Sequence, residues 1–148
     1  MITLDANILV YAADTRDLKK HRAAVDILAA ASSVSCTLGL QAIGEFYVVC
    51  TRKLGIPRGI VQEQVQNLLS TFNVFQHTRA AISKAAILAG QGRFFFWDAV
   101  LLSSAEEAGC LAMLSEDMAD GGKFGGLTVH NPFARGGMSD AARRLLQL

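Results

Sequence analysis

The sequence predicts a single α/β domain in which a parallel β-sheet is covered by helices on both faces. Short apolar segments alternate along the chain with longer amphipathic segments of helical periodicity, which is typical of strands joined by crossover helices. The 148 residues are 51% hydrophobic and 18% charged, so the chain can build one sizeable core. Two of the apolar segments are followed closely by an acid, a placement that packing alone does not require.

Four short apolar or β-branched segments predict strands, at residues 1–4, 34–37, 110–114 and 127–130. A further candidate strand lies between two helices at residues 73–76. Helical periodicity predicts amphipathic helices at residues 17–31, 38–54, 58–72, 78–90 and 98–108. We assign the main domain to residues 1–133. Residues 134–148 form a C-terminal extension in which a short capped helix begins at Ser139.

The composition argues against several classes of protein. A net charge of +1 argues against nonspecific nucleic-acid binding through bulk charge. Cys36, Cys50 and Cys110 stand alone in apolar segments, which favours buried thiols over disulfides or zinc ligands. The first residues carry no basic region, and no segment reaches the roughly 20 apolar residues that a membrane span needs. We therefore expect a soluble cytoplasmic protein.

Three aspartates occupy positions that are typical of ligand-binding groups in α/β proteins. Asp5 and Asp117 come just after predicted buried strands, and open parallel sheets bind ligands at the carboxyl ends of their strands. Asp98 begins a predicted helix on its core-facing side. Each aspartate alone is explained at least as well by a turn or a helix cap. Together, however, the three would meet at one edge of one sheet.

A cluster of this kind indicates a hard metal ion. Carboxylates brought close together repel one another and become protonated unless a cation is present. Oxygen ligands without accompanying Cys or His suit Mg²⁺ or Mn²⁺, ions that polarise phosphoryl oxygens and generate hydroxide nucleophiles. Glu45 lies at the edge of the apolar arc of helix 38–54, and in isolation it is interpreted as a boundary residue that faces solvent.

Five segments then follow one another in a specific order and spacing. They are LDANILVYA at residues 4–12, QAIGEFYVVCTRKLG at 41–55, FWDAVLLSSAEEAGC at 96–110, LSEDMADG at 114–121 and VHNPF at 129–133. This series resembles the PIN domain family, and more narrowly the VapC-type toxin ribonucleases of bacterial toxin–antitoxin pairs. The resemblance implies a three-layer PIN-like fold, with a parallel sheet of four or five short strands flanked by helices on both faces.

The resemblance also implies an activity and a set of site residues. The chain is expected to be a metal-dependent endoribonuclease, the toxin of a type II toxin–antitoxin system, with one or two Mg²⁺ or Mn²⁺ ions. The acidic quartet of the family falls on Asp5, Glu45, Asp98 and Asp117. All four are expected to bind the ion or ions, and Glu45 is also expected to orient or deprotonate the attacking water, directly or through a second ion. Asn7 and Ser115 match supporting polar positions, and Glu116 is expected to add an outer contact.

The partners implied by the resemblance are an RNA substrate, a cognate antitoxin and a second copy of the chain. The apolar surface of the helices at 58–72 and 78–90 is the candidate interface for both proteins. An exposed ring in the aromatic run 94–97 is a candidate for stacking a base. Basic residues should line the approach of RNA to the acids, although a solvated helix face explains each one equally well. The candidates are Arg16, Lys19, Lys20, Arg52, Lys53, Arg58 and Arg93.

Two alternatives stay open at this point. A phosphatase of the haloacid-dehalogenase type also begins with an acid after its first strand, but it needs a second aspartate where this chain has Asn7. It also needs a lysine near the late acids, and Lys123 is only a loose candidate. The second alternative is a PIN-like module that binds RNA or protein without cutting. The intact quartet argues against it, because loss of metal ligands would be its first sign.

Overall fold

A four-stranded mixed sheet forms the centre of the computed structural model, which describes all residues from 1 to 148. The strands are β1 (Ile2–Leu4), β2 (Thr37–Gly39), β3 (Asn73–Phe75), β4 (Ala112–Leu114), β5 (Lys123–Phe124), β6 (Leu127–His130), β7 (Phe133–Ala134) and β8 (Gly137–Met138). In the central sheet the order is β1-β4-β6-β5, and only β5 is antiparallel to its neighbour. Strands β2 and β3 form a parallel pair, and β7 and β8 form a hairpin.

Seven helices surround the strands. They are α1 (Ala6–Tyr11), α2 (Leu18–Ala31), α3 (Leu40–Arg52), α4 (Arg58–Thr71), α5 (Arg79–Gly90), α6 (Phe96–Glu107) and α7 (Asp140–Leu145). Alternate residues of β4 show that both faces of the sheet are covered. Ala112 and Leu114 belong to a large core with α1 to α4, whereas Met113 belongs to a second core with α6. The predicted α/β fold with helices on both faces is therefore confirmed.

The second strand begins later than we predicted. Residues 34–37 were expected to form it, but β2 covers Thr37–Gly39 and α3 accordingly starts at Leu40. The reason is that the Val34 amide still donates to the carbonyl of Ala31 as the chain leaves α2. The first contact with the central sheet is an isolated bridge between Cys36 and Ile2. The β-branched Val34 thus lies in the turn that follows α2, where local hydrogen bonding outweighs strand propensity.

The segment after Pro132 packs into the large core. Its hairpin and α7 bring Ala142 and Leu146 into contact with the core formed by α1 to α4. Ser139 caps α7, since its hydroxyl accepts a hydrogen bond from the Ala142 amide at 3.2 Å. Residues 134–148 therefore share the hydrophobic core of the preceding residues.

Truncation of Leu146 should test this packing. The side chain is 2% exposed, so we expect Leu146→Ala to lower the free energy of unfolding by about 2–5 kcal/mol through the lost contacts and the cavity left behind. Urea denaturation measures the change. Leu148→Ala is the matched control, because Leu148 is 63% exposed and should change stability little. A small effect of both substitutions would contradict the packing.

The three cysteines agree with the expectation from the sequence. Cys36, Cys50 and Cys110 are all buried and free, as the sequence predicted. Burial raises the pKa of the Cys50 and Cys110 thiols to about 11, so both stay protonated at neutral pH. None of the helices combines the length and the apolarity that crossing a membrane requires.

Candidate active site

Asp5 is a buried acid at the junction of β1 and α1. It is 7% exposed and acts as the N-cap of α1, where its Oδ1 accepts a hydrogen bond from the Ala6 amide at 2.7 Å. Its Oδ2 accepts from the Ser115 hydroxyl at 2.7 Å. Helix α1 itself was not predicted, because six residues are too few to establish a helical period. Asp5 is therefore both a helix cap and an acid at the carboxyl end of a strand. Its role as a cap does not exclude a role in binding a ligand.

Asn7 connects the two strand-end aspartates. Its Nδ2 donates to Asp117 Oδ2 at 3.1 Å and more weakly to Asp5 Oδ2 at 3.3 Å. The parallel pairing of β1 with β4 explains this proximity. Leu4 and Leu114 are paired at the ends of the two strands, so the residues that follow them lie side by side at the same edge of the sheet. The structure thus brings together the residues after two strands that are more than a hundred positions apart in the sequence.

Asp98 enters the same space from α6. The sequence predicted that it begins this helix, but α6 starts at Phe96 with Phe95 as N-cap, so Asp98 lies within the first turn. Phe95 offers no side-chain cap, and the unbonded amides of the first turn favour a nearby carboxylate. Asp98 is half-buried, while the residues that follow it pack into the cores.

Glu45 reaches the site from α3, and its orientation is set by a residue that the sequence analysis missed. Gln41 precedes it by one helical turn, and the Gln41 Nε2 donates to Glu45 Oε1 at 3.0 Å and to the Trp97 carbonyl at 3.1 Å. This amide therefore ties α3 to the start of α6, next to Asp98. The (i, i+4) spacing of the pair was the available signal, but such spacing is common on any helix surface.

All four acids line one cavity of about 480 Å³. Asp14, Arg16, Lys53 and Glu116 also line it. None of the quartet takes part in any of the three ion pairs of the protein. The structure therefore brings the predicted acids to one place without giving any of them a basic partner, and their roles there remain predictions.

The electrostatics of two of these acids reflect this arrangement. The pKa of Asp5 is raised to about 6, chiefly by burial and to a smaller extent by the charges of Glu45 and Asp117, against the lowering effect of hydrogen bonds from Ser115 and the Ala6 amide. Burial also raises the pKa of Asp98, again with contributions from Glu45 and Asp117. Perturbed carboxylates gathered in one cleft are a physical indication of a functional site.

The sequence profile of the PIN domain family matches residues 2–119. The chain belongs to the PIN domain family. The predicted family is thereby confirmed over most of its length. Residues 120–148, including the segment that completes the large core, lie beyond the match.

Solved structures with this PIN fold are similar at low sequence identity. The VapC20 toxin of Mycobacterium tuberculosis, described as cleaving the sarcin–ricin loop, is 18% identical, with a TM-score of 0.64 over 79% of this chain and 92% of that chain. FitAcB from Neisseria gonorrhoeae is 18% identical, with a TM-score of 0.65 over 89% and 98%. A toxin–antitoxin complex from Klebsiella pneumoniae is 16% identical, with a TM-score of 0.60 over 86% and 96%. No curated protein matches the chain significantly.

The donor atoms of this PIN domain fit a divalent metal ion by their chemistry. The quartet offers hard oxygen ligands, and no cysteine or histidine lies among the residues of the cavity. The Asn7 Oδ1 is buried without any hydrogen-bond partner, as expected of an oxygen that accepts a hydrogen bond from a bound water or coordinates a cation. No three acidic, histidine or cysteine side chains are arranged to hold one ion as they stand. The carboxylates would therefore have to converge on binding.

The predicted basic residues divide into two groups. Arg16 and Lys53 line the cavity of the PIN domain, whereas Lys19, Lys20, Arg52, Arg58 and Arg93 do not. Arg16 is held by Asp14 through paired hydrogen bonds of 2.9 and 2.8 Å, so much of its charge is compensated. Of the two, Lys53 alone has no acidic partner.

Glu116 has a partner that the sequence did not reveal. Lys20, at the start of α2, forms an ion pair with Glu116 and donates to the Tyr11 hydroxyl at 3.3 Å. This Lys20 ammonium also lies 5.0 Å from the centroid of the Tyr11 ring. The contact partly neutralises one of the acids that surround the quartet. The two residues are 96 positions apart, so no local pattern could indicate their contact.

Removal of the Gln41 side-chain amide should test whether this group positions Glu45 for activity without contributing to the stability of the fold. We expect Gln41→Ala to lower the turnover of the site by about 10- to 100-fold, because Glu45 loses the group that orients it. The change in stability should stay small, since both side chains are on the surface of α3. Steady-state kinetics on RNA and thermal unfolding measure the two effects. Gln62→Ala, at an exposed position of α4, is the control, and equal kinetics of both variants would contradict the role of Gln41.

Proposed function

We propose that this PIN domain is a metal-dependent endoribonuclease, and that it is the toxin of a type II toxin–antitoxin system. The observation that supports this most directly is the delivery of four carboxylates from four separate elements to one cavity, with no ion-pair partner for any of them. An arrangement of this kind costs stability, because burial and mutual repulsion disfavour the charged forms. A divalent cation would offset that cost. Similarity to the structures of the VapC20 toxin and of a toxin–antitoxin complex supports the biological assignment.

Asp5, Asp98 and Asp117 are the residues that would hold the ion, which we expect to be Mg²⁺ or Mn²⁺. When bound, such an ion supplies positive charge to the phosphate oxygens and makes a water molecule more acidic. Asn7 and Ser115 keep Asp5 and Asp117 in position through the hydrogen bonds described above. Glu45 would accept the proton of the attacking water at the oxygen that Gln41 does not occupy. Water then adds to phosphorus as the bond to the leaving ribose oxygen breaks.

RNA cleavage by the purified protein tests this function. We expect cleavage of single-stranded RNA with Mg²⁺ or Mn²⁺ and none with EDTA. A wild-type protein that cuts RNA equally well with EDTA would contradict the metal-dependent mechanism. A protein that binds RNA but cuts none under any metal condition would favour a non-catalytic PIN module. The observation that favours this second candidate is the absence of three side chains already arranged to hold one ion.

An apolar groove is the proposed site of the antitoxin. The groove has a volume of about 380 Å³ and lies between α1, α2, α3 and α4. Its walls include Leu28, Phe46 and Leu68, and the Gln64 Oε1 in its wall is buried without a hydrogen-bond partner. A segment with one apolar face and one donor would satisfy both features. We expect the Leu68→Glu variant to fold normally but to lose its ability to capture the antitoxin. Unchanged capture would mean that the antitoxin binds elsewhere on the protein.

A homodimer is also proposed, following the resemblance. Exposed apolar side chains on α4 and α5 include Ile60 (49%), Leu69 (40%) and Ile87 (59%), which lie on the helices that the sequence marked as an interface. Sedimentation of the purified chain measures its mass. A monomer at all concentrations would exclude the dimer while leaving the nuclease assignment intact.

A further inference from the structure

A second cleft, separate from the acidic cavity, lies between α2 and the C-terminal segment. It has a volume of about 520 Å³. Lys19, Arg22 and Asp26 of α2 form one wall, and Gly137, Met138 and Arg143 are part of the other. The cleft depends on the C-terminal segment, because β8 packs against α2 and α7 contributes Arg143 to the lining. Its far wall therefore lies outside the part of the chain that matches the family profile.

The side chains of this cleft carry an excess of positive charge. Lys19, Arg22 and Arg143 contribute three cations, and Asp26 is the one acidic side chain. None of the three cations takes part in an ion pair anywhere in the protein. The cations are exposed, so their charge is available to a ligand. A chain of net charge +1 thus concentrates unpaired positive charge in one concave place, which is the electrostatic footprint of a polyanion site.

A continuous surface links this basic cleft to the acidic cavity. Lys19 and Gly137 also line a smaller depression of about 140 Å³, together with Lys20, Phe133 and one acid, Asp17, whose side chain caps α2. The Lys20 ammonium lies 5.8 Å from the centroid of the Phe133 ring and forms the ion pair with Glu116, which lines the acidic cavity. Basic and aromatic side chains therefore follow one another from the cavity to the cleft, as in proteins that track a single nucleic-acid strand.

We propose that the RNA strand leaves the acidic cavity past Lys20 and Phe133 and lies in the basic cleft, where Lys19, Arg22 and Arg143 bind its backbone phosphates. This inference rests on the proposed nuclease function, since it assigns the path of that substrate. It also gives the C-terminal segment a role in binding. The physical reason is that four carboxylates repel a polyanion and Lys53 is the one unpaired cation that lines the cavity, so most of the affinity for RNA must come from cations outside it.

Binding of a long, unstructured oligouridine tests the path without cleavage, because it is measured in EDTA by fluorescence anisotropy. The variant is Arg22→Gln with Arg143→Gln. We expect its affinity to fall about ten-fold or more near 0.1 M salt, and the slope of log affinity against log salt to flatten by about 1.4, which is about 0.7 for each lost phosphate contact. The control is Arg144→Gln, which removes the neighbouring exposed arginine of the same helix but does not line the cleft.

Cleavage kinetics supply a second measurement. The double variant should raise KM for long RNA about ten-fold while leaving kcat unchanged, because the cleft binds the strand away from the reacting phosphate. Cleavage of a dinucleotide, which is too short to reach the cleft, should be the same in the variant and the wild type. A parallel loss on long and short substrates would mean that the substitutions disturb the active site, and it would overturn the proposal.

The possible outcomes distinguish a failure of the proposed RNA-binding path from a failure of the proposed nuclease function. RNA affinity of the double variant equal to that of Arg144→Gln would overturn the path, even if cleavage by the wild type is normal. If the double variant keeps its affinity for RNA but loses affinity for polyglutamate, the path is likewise overturned, and the cleft is assigned to an acidic protein segment instead. A wild type that binds RNA with the expected salt slope but cuts none would refute the nuclease function and retain the binding path.

Discussion

Asp98→Asn is expected to lower RNA cleavage more than about a hundred-fold while leaving the fold intact. Substitution of groups that merely orient metal ligands typically costs 10- to 100-fold, and Asp98 is proposed to be a ligand itself. Asparagine preserves the volume of the side chain and its place in the first turn of α6. The substitution removes the negative charge of the carboxylate, and no neighbouring side chain supplies a charge in its place. The initial rate of cleavage at saturating Mg²⁺ measures the effect.

The control for Asp98→Asn is Glu63→Gln, which removes one carboxylate from an exposed position of α4 far from the cavity residues. This variant should cleave at the wild-type rate. Equal cleavage by the wild type and Asp98→Asn, in preparations from which a contaminating nuclease has been removed, would refute the site. Thermal unfolding of Asp98→Asn in EDTA should show no loss of stability, because the substitution relieves repulsion from Glu45 and Asp117.

The strand-end acids illustrate what the sequence can predict. Asp5 and Asp117 follow apolar runs, and the rule that parallel strands deliver their carboxyl ends to one edge places both acids correctly without any side-chain detail. Periodicity likewise predicted most helices within a residue or two. These successes depend on patterns that repeat along a segment, because a repeated pattern averages over the local exceptions.

The side-chain contacts illustrate what the sequence could not predict. Lys20 and Glu116 meet only because α2 packs beside the loop after β4, and this is a property of the tertiary fold. Gln41 was overlooked because an (i, i+4) pair on a helix has many equivalent explanations. The basic cleft was missed for the same reason as the Lys20 contact. It depends on how the segment after Pro132 folds back on α2, and the sequence of that segment has no periodic signal long enough to define its direction.

Asp5→Asn is expected to stabilise the metal-free protein while abolishing its activity. The pKa of Asp5 is about 6 in the folded chain against an ordinary value of 3.8, so the folded state favours the protonated form. A difference of about two pKa units corresponds to about 3 kcal/mol. Asparagine is neutral at every pH, and its carbonyl oxygen can still accept one of the hydrogen bonds from Ser115 and the Ala6 amide. The variant should therefore avoid most of the cost of the ionised side chain.

The pH dependence of this difference has a defined sign. Below about pH 4 Asp5 is protonated in both states, so wild type and Asp5→Asn should unfold with similar free energies. As the pH rises through 6 the wild type loses the stability of the protonated form, and the variant does not. In EDTA the gap should reach about 3 kcal/mol above pH 7. Urea denaturation across this range measures it, with Glu63→Gln as the exposed-carboxylate control.

Addition of Mg²⁺ should reverse the order of stability. An ion that binds only the folded wild type stabilises it by about 4.1 kcal/mol when present at about a thousand times its Kd, which exceeds the gap in EDTA, whereas Asp5→Asn should gain little. The burial of Asp5 beside other carboxylates thus has two consequences. It destabilises the metal-free protein, and it creates a site where a bound cation can stabilise the negative charge. A variant less stable than the wild type at neutral pH in EDTA would show that Asp5 serves mainly as the cap of α1. Equal stabilisation of both proteins by Mg²⁺ would show that the ion binds elsewhere.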